Sequence, residues 1–351
     1  MVDYLIVGLG LAGISFCEVL ERHDKSFYVI ADGSQTSSLV AGGLYNPVTL
    51  KRFKPVWNAR EQLDFGIPFY KDLEKKLNVQ LEYKVPILRR FVSVEEQNSW
   101  FEASDRPLLQ PFLSTSIQPN TNPKINAPLG YGEVLHTGRV ATKVLLAAYS
   151  AYLLRNTSLI PETFDYGSLK MVDGPVEYRS VKARNIVFAE GYGLKKNPSF
   201  KYLPLNGTKG ELLTIKAPDL KESRIIKSSV FIIPLGDDLY RVGATYSRKD
   251  KSNLPTEEAR LELLEKLNSF LECDYKVVDQ VAGVRPTVSD RRPLVGRHPI
   301  YGNRYVLNGL GSRGVMIGPW AANLLFNNIE NGIALPEELD IARFTKKYFN
   351  R

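Results

Sequence analysis

Cysteine is nearly absent. The 351 residues hold two, Cys17 and Cys273, too few and too far apart in sequence for a disulfide framework or a thiolate metal cluster. A reducing compartment and no bound metal are the expectations. Histidine is almost as scarce: His23, His136 and His298 stand singly, none at the spacing of a metal site or a catalytic triad. No uninterrupted apolar run is long enough to span a bilayer. The apolar N-terminus has no basic n-region and is broken by three glycines, which argues against a signal peptide. A cytoplasmic protein without a membrane partner is expected. Internal repeats and low-complexity stretches are also missing. With 44% hydrophobic and 24% charged residues the composition is ordinary and globular, which excludes disorder and coiled coil, and the length suits two domains or one large one. Lys and Arg number 46 against 38 Asp and Glu, a net +8 that favours anionic ligands or nucleic acid and fits a plain basic surface equally well.

What is present starts with Gly8-x-Gly10-x-x-Gly13. An apolar strand enters this run and a helix leaves it. Gly8 permits the tight turn, Gly10 removes a side chain that would block a pyrophosphate, and Gly13 lets the helix lie close on the sheet. The helix N-terminus then offers free N–H groups and a positive dipole end to an anion. Residues 27–30 read as the next strand, and Asp32 follows where a ribose-binding acid should stand. Cys17 falls on the buried face of the first helix as a small packing residue.

Beyond Asp32 the chain turns small and polar and passes through Gly42 and Gly43, a loop by which backbone can approach a ligand. Residues 55–77 have a helical pattern that Gly66 and Pro68 should kink or split. Residues 107–128, rich in Pro, Asn and Ser, read as a loop-rich excursion. A helix is expected from Thr137, with Val140, Val144, Leu145, Ala148 and Tyr152 at helical spacing, then a buried strand ending in a turn at Gly191. Residues 211–216, 225–234 and 239–245 have the period-two character of an antiparallel sheet. Thr256 caps a further helix with an acidic first turn. Near the end, residues 304–307 lead as a strand into Gly309-x-Gly311-x-x-Gly314 and another helix, repeating the opening logic. Two such loops suit the two ends of one long cofactor.

These motifs, with Ala189-Glu-Gly191, Val242-Gly-Ala-Thr245, and Gly283-Val-Arg-Pro286 followed by Asp290 and Pro293, make the chain resemble the D-amino-acid-oxidase-type FAD-dependent oxidoreductases, which include glycine and sarcosine oxidases. Ala41-Gly-Gly-Leu-Tyr45 and Gly309-Leu-Gly-Ser-Arg-Gly314 add a closer likeness to the FAD domain of the bifunctional enzyme that modifies wobble uridine in tRNA, without its methyltransferase half. The resemblance implies an α/β fold with an α+β second domain. A discontinuous Rossmann-like FAD domain (1–50, 137–205 and 284–351) would carry an antiparallel-sheet substrate domain (51–136 and 206–283).

It also implies roles. Gly8, Gly10, Gly13, Asp32, Gly42, Gly43, Gly191, Gly311, Ser312, Arg313, Gly314 and Val315 would bind FAD, residues 311–315 facing the flavin pyrimidine. Arg285 would grip a substrate carboxylate, for which an always-charged, bidentate guanidinium is suited. Arg241 would sit near the flavin's reactive nitrogen and assist oxygen reduction, and Tyr246 would reach the substrate pocket from the same strand. Leu310 stands where the family often has His, and Gly283 aligns with the cysteine that tethers flavin in sarcosine oxidases, so the FAD should be noncovalent. The implied reaction is oxidation of a C–N bond in a small amine or amino acid by hydride transfer to flavin, with oxygen as one candidate acceptor. The alternative is removal of a carboxymethyl group from a modified uridine, with tRNA as partner.

Overall fold

The computed structural model describes residues 1–171 and 174–349. Its first sheet is organised around Val2–Val7, whose Tyr4, Leu5 and Ile6 are buried on both faces, the pattern of a parallel strand covered on each side. Phe27–Ile30 and Val181–Phe188 flank it in parallel, and Leu159–Ile160 and Arg304–Asn308 extend the parallel set outward. Val176–Tyr178, Leu169–Met171 and Leu294–Arg297 add antiparallel pairings at its margins.

Two helices rise from this sheet and pack on each other. Leu11–Glu21 follows the first strand, with Gly13 so close that a Cβ there would stand 2.1 Å from the Gly8 carbonyl oxygen. Gly314–Asn331 follows Arg304–Asn308, and its Gly314 and Gly318 lie against the first helix at Leu11 and Ser15.

The second sheet also has eight strands, in the order Lys276–Arg285, Thr208–Lys216, Leu239–Gly243, Phe231–Gly236, Ile225–Lys227, Ile87–Arg90, Tyr131–Val134 and Leu113–Gln118. All its pairings are antiparallel except that between Ile225–Lys227 and Ile87–Arg90. One face is braced by Lys209 and Glu211, 1% and 3% exposed and 3.3 Å apart. Lys209 also donates to Asp250, while Glu211 accepts from the Thr256 amide at 2.8 Å and from Gln280 at 2.9 Å. This network ties the sheet to the start of the helix Glu257–Asn268.

Several expectations need correction. Residues 59–77 form one continuous helix, Ala59–Leu77, so Gly66 and Pro68 do not split it. Gly66 faces the C-terminal helix, where a Cβ would meet the Met316 carbonyl at 3.8 Å, and Pro68 and Asp64 are exposed, so water can serve the carbonyl that proline leaves without a donor. The helix expected from Thr137 starts at Thr142, because Gly138–Val140 is a strand pairing with Leu44–Tyr45 and Glu82–Tyr83. Residues 107–128 contain the strand Leu113–Gln118. Residues 225–234 are two strands joined by a turn at Ser228, whose amide donates to Val230. Leu239–Gly243 stops before Tyr246, which therefore belongs to the segment beyond the strand.

Removing Glu211 would leave the Lys209 ammonium buried with only Asp250 to offset it. Glu211→Ala is expected to lower unfolding free energy by about 3 kcal/mol in urea titration, the cost of breaking a buried pair from one side. A change below about 0.5 kcal/mol would show that the network braces nothing.

Candidate functional site

The two sheets enclose a cavity of about 1090 Å³, beyond the usual few hundred to roughly 1,000 Å³ of a small-ligand pocket. Its wall runs from the loop after Val2–Val7 to the inner face of the second sheet, and both glycine loops open onto it.

At one end Gly8 takes φ +101°, and a Cβ would lie 2.5 Å from the Ala189 carbonyl oxygen, so the turn tolerates no side chain. The first helix begins at the cavity with no side-chain cap on Gly10, although the Leu11 amide donates to Ser38 Oγ at 3.1 Å. Asp32 also lines the wall, accepting from the Ser34 amide and the Thr163 hydroxyl at 2.9 Å each. Those two bonds fix the carboxylate and leave it lone pairs for ribose hydroxyls. Gly13 is not on the wall: it serves the helix–strand contact.

Glu190 was not singled out from the sequence. It is 8% exposed, faces the cavity, and accepts from Asn197 Nδ2 at 2.8 Å and from the Tyr166 hydroxyl. Burial pushes its carboxyl up to about 7, against the opposing pull of the Asn197 and Tyr166 hydrogen bonds. The only signal in sequence was its place between Ala189 and Gly191.

Gly42, Gly43, Gly191, Gly311, Ser312, Arg313, Gly314 and Val315 also form the wall, Gly314 beside Leu11 of the first helix. Gly43 has φ +72°, and a Cβ would fall 1.9 Å from the Val140 carbonyl oxygen. The helix Gly314–Asn331 starts here, again with no side-chain cap. Arg313 reaches across to Thr49, donating from Nη2 to Oγ1 at 2.7 Å. Leu310 and Gly283 are both on the wall, and a Cβ on Gly283 would press on Val40 at 2.8 Å.

Arg285 and Tyr246 are brought together. The guanidinium carbon lies 4.4 Å from the centre of the tyrosine ring, and Nη1 donates to the Thr245 carbonyl at 3.4 Å. The same guanidinium occupies the space over Gly210, where a Cβ would meet Nη2 at 1.9 Å. Arg241 is placed elsewhere and does not line the cavity. Its register opposite Ile233 and Thr214 carries it along the strand away from Gly243, and its Nη1 lies 4.0 Å from Asp279. Lys227, which the sequence did not flag, does line the wall.

A parallel sheet whose glycine turn feeds a helix, an acid after the second strand, and a second uncapped helix N-terminus on the same cavity define a dinucleotide-cofactor oxidoreductase. The profile of the DAO family, described as FAD dependent oxidoreductase, matches residues 3–327, and the chain belongs to this family. FAD is its cofactor. Glycine oxidase of Bacillus subtilis is 24% identical over 237 residues, covering 63% of this chain and 64% of its own length. The tRNA 5-methylaminomethyl-2-thiouridine biosynthesis bifunctional protein MnmC of Shewanella halifaxensis is 26% identical over 192 residues, 44% of this chain and 30% of that protein. The match thus spans under a third of the tRNA enzyme's length and just under two thirds of the oxidase's. The glycine oxidase structure from Geobacillus kaustophilus superposes with a TM-score of 0.80 at 19% identity, over 98% of this chain and 97% of that one, which establishes the shared fold.

Gly210→Ala is expected to evict the Arg285 guanidinium while leaving stability within about 1 kcal/mol, since only a flexible side-chain end must move. Retention of FAD with weakened carboxylate binding, read from ligand-induced changes in flavin absorbance, checks this. For Glu190 the folded carboxyl titrates near 7 and the unfolded one near its ordinary 4.5, so the folded state holds the extra proton and loses stability as pH rises between these values. Glu190→Gln should flatten that loss, measured as unfolding free energy at about pH 5 and pH 8.

Proposed function

We propose that the protein oxidises the C–N bond of a small amine or amino acid, and that Arg285 holds the substrate's carboxylate. The observation that carries this reading is a guanidinium on the cavity wall with no carboxylate partner among the described residues, backed by a tyrosine face. Arg285 has the charge and fork to fix both the distance and the direction of an α-carbon. Tyr246 limits its swing by stacking. Gly210 leaves the room that the guanidinium itself fills, and Leu212, Ile233 and Leu310 give the wall an apolar lining that keeps water away from the reacting bond. Bound FAD supplies the hydride acceptor. The uncapped N-terminus at Gly314 offers a positive dipole end to charge developing on a neighbouring group.

The proposal includes the division of the chain into an FAD-binding domain (1–50, 137–205 and 284–351) and a substrate domain (51–136 and 206–283). It takes FAD as noncovalent, since neither Cys17 nor Cys273 reaches the cavity wall. It takes oxygen as one candidate electron acceptor and the cytoplasm as the location. No helix among the described residues is long and apolar enough to cross a membrane.

A second reading, action on a carboxymethylaminomethyl-uridine in tRNA, is favoured by one observation. Lys51 lines the cavity mouth and is exposed, with exposed Arg52 and Lys54 beside it, a basic rim suited to a phosphate backbone. Anaerobic flavin bleaching by glycine, sarcosine and larger amines, set against modified tRNA at two salt concentrations, separates the two.

Arg285→Lys is expected to cost about 2–5 kcal/mol of substrate binding, because one ammonium cannot replace a bidentate grip. The half-saturation for flavin reduction should rise roughly 30-fold or more with FAD content unchanged. Unaltered half-saturation and rate would remove Arg285 from the site.

A further inference from the structure

Lys227 has no role in the reading above, and its surroundings do not explain it. It ends the strand Ile225–Lys227, is half-buried, and lines the cavity. Its Nζ donates to the Ser229 carbonyl at 3.3 Å and stands 4.7 Å from the centre of the Phe231 ring. Among the described residues it enters no ion pair. The charges that face it are mostly of its own sign: Arg89 from Ile87–Arg90, Lys266 from Glu257–Asn268, and Lys51 from the rim, with Glu96 already paired to Arg89. An ammonium in such a place lacks an anion.

The sheet register relates this ammonium to Arg285. Lys227, Phe231, Gly243 and Leu212 are successive cross-strand partners, so all four stand in one row on one face. Gly210 follows Leu212 on that same face, two residues along. The Arg285 guanidinium sits over Gly210, and the Lys227 ammonium sits over Phe231. Phe231 and Gly210 are two strand spacings and two residues apart, roughly 12 Å at about 4.8 Å per strand and 3.3 Å per residue. Allowing a charge-assisted hydrogen bond of about 2.8 Å at each end leaves roughly 6 Å between two anionic oxygens. Gly243 lies between them with no side chain of its own, and the Leu212 side chain leans over it, so an apolar floor separates the two cations.

We propose that Lys227 is a second anion-recognition residue of this cavity, and that the substrate class is amines bearing two carboxylates, one gripped by Arg285 and the other by Lys227. This rests on the amine-oxidation reading. Burial first, and then the charges of Arg89 and Lys266, lower the Lys227 ammonium to about 8, so it is charged at neutral pH and loses its charge above that value. Preference for a diacid should fall as pH rises through about 8.

The test uses the full-length FAD-loaded protein and two ligands that cannot be oxidised at nitrogen: glutarate, with two carboxylates, and butyrate, with one. Affinities are read from perturbation of the flavin absorbance at about pH 7 and pH 9 in the wild type, Lys227→Met and Lys227→Arg. The expected result is a preference for glutarate of about tenfold or more in the wild type at the lower pH, the worth of one charged hydrogen bond. That preference should be lost in Lys227→Met, largely kept in Lys227→Arg, and reduced at the higher pH, with butyrate binding and FAD content unchanged throughout. Absence of a glutarate preference in the wild type, its survival in Lys227→Met, or an equal loss for both ligands would overturn the proposal. So would salt-sensitive binding of tRNA that Lys227→Met weakens while glutarate shows no preference. Because glutarate is not a substrate, failure of every amine to bleach the flavin would strike the proposed activity separately from the anion site.

Discussion

The close crossing of two helices separated by nearly the whole chain is the contact on which the site depends. Gly314 and Gly318 let the C-terminal helix settle against Leu11 and Ser15 of the first helix, where a Cβ would meet Leu11 Cδ1 at 3.1 Å and Ser15 Oγ at 3.0 Å. Gly13 does the same between the first helix and its own strand. Through these contacts two uncapped helix N-termini open side by side onto one cavity, each able to hold an anion or an electron-rich ring edge through backbone alone. A Cβ at Gly13 would force the first helix off its strand, whereas at Gly314 and Gly318 the ends of Leu11 and Ser15 would have to give by a fraction of an ångström.

The cavity wall carries Asp32, Glu162 and Glu190 together with Lys51, Lys143, Lys196, Lys227, Arg285 and Arg313. Among the described residues Lys227, Arg285 and Arg313 are not offset by a carboxylate in an ion pair, so the wall around them attracts anions once water is excluded. On the second sheet, Gly210, Gly243 and Gly283 leave the room into which Arg285, Leu212 and Val40 pack.

The glycine loops and Asp32 were legible in the sequence because their requirements are local: a positive φ, a close carbonyl, an acid one strand on. That residues 59–77 stay one unsplit helix could not be read, because the two features that soften its breakers, the C-terminal helix beside Gly66 and solvent beside Pro68, are tertiary. Knowing the strand of Arg241 does not give its distance along that strand from the cavity, which its pairing with Thr214 and Ile233 sets. Lys227 and Gly210 could not be read at all, since what matters is a row across four strands that are scattered through the chain. Glu190 left one trace, its position between two residues that line the site.

The central claim is that both helix N-termini embrace a single FAD. Amide hydrogen exchange before and after FAD is removed and restored tests it directly, followed at residues 11–13 and 314–316. Restoring FAD should slow exchange at both segments together and at the same FAD concentration. Protection of one segment without the other would contradict the account.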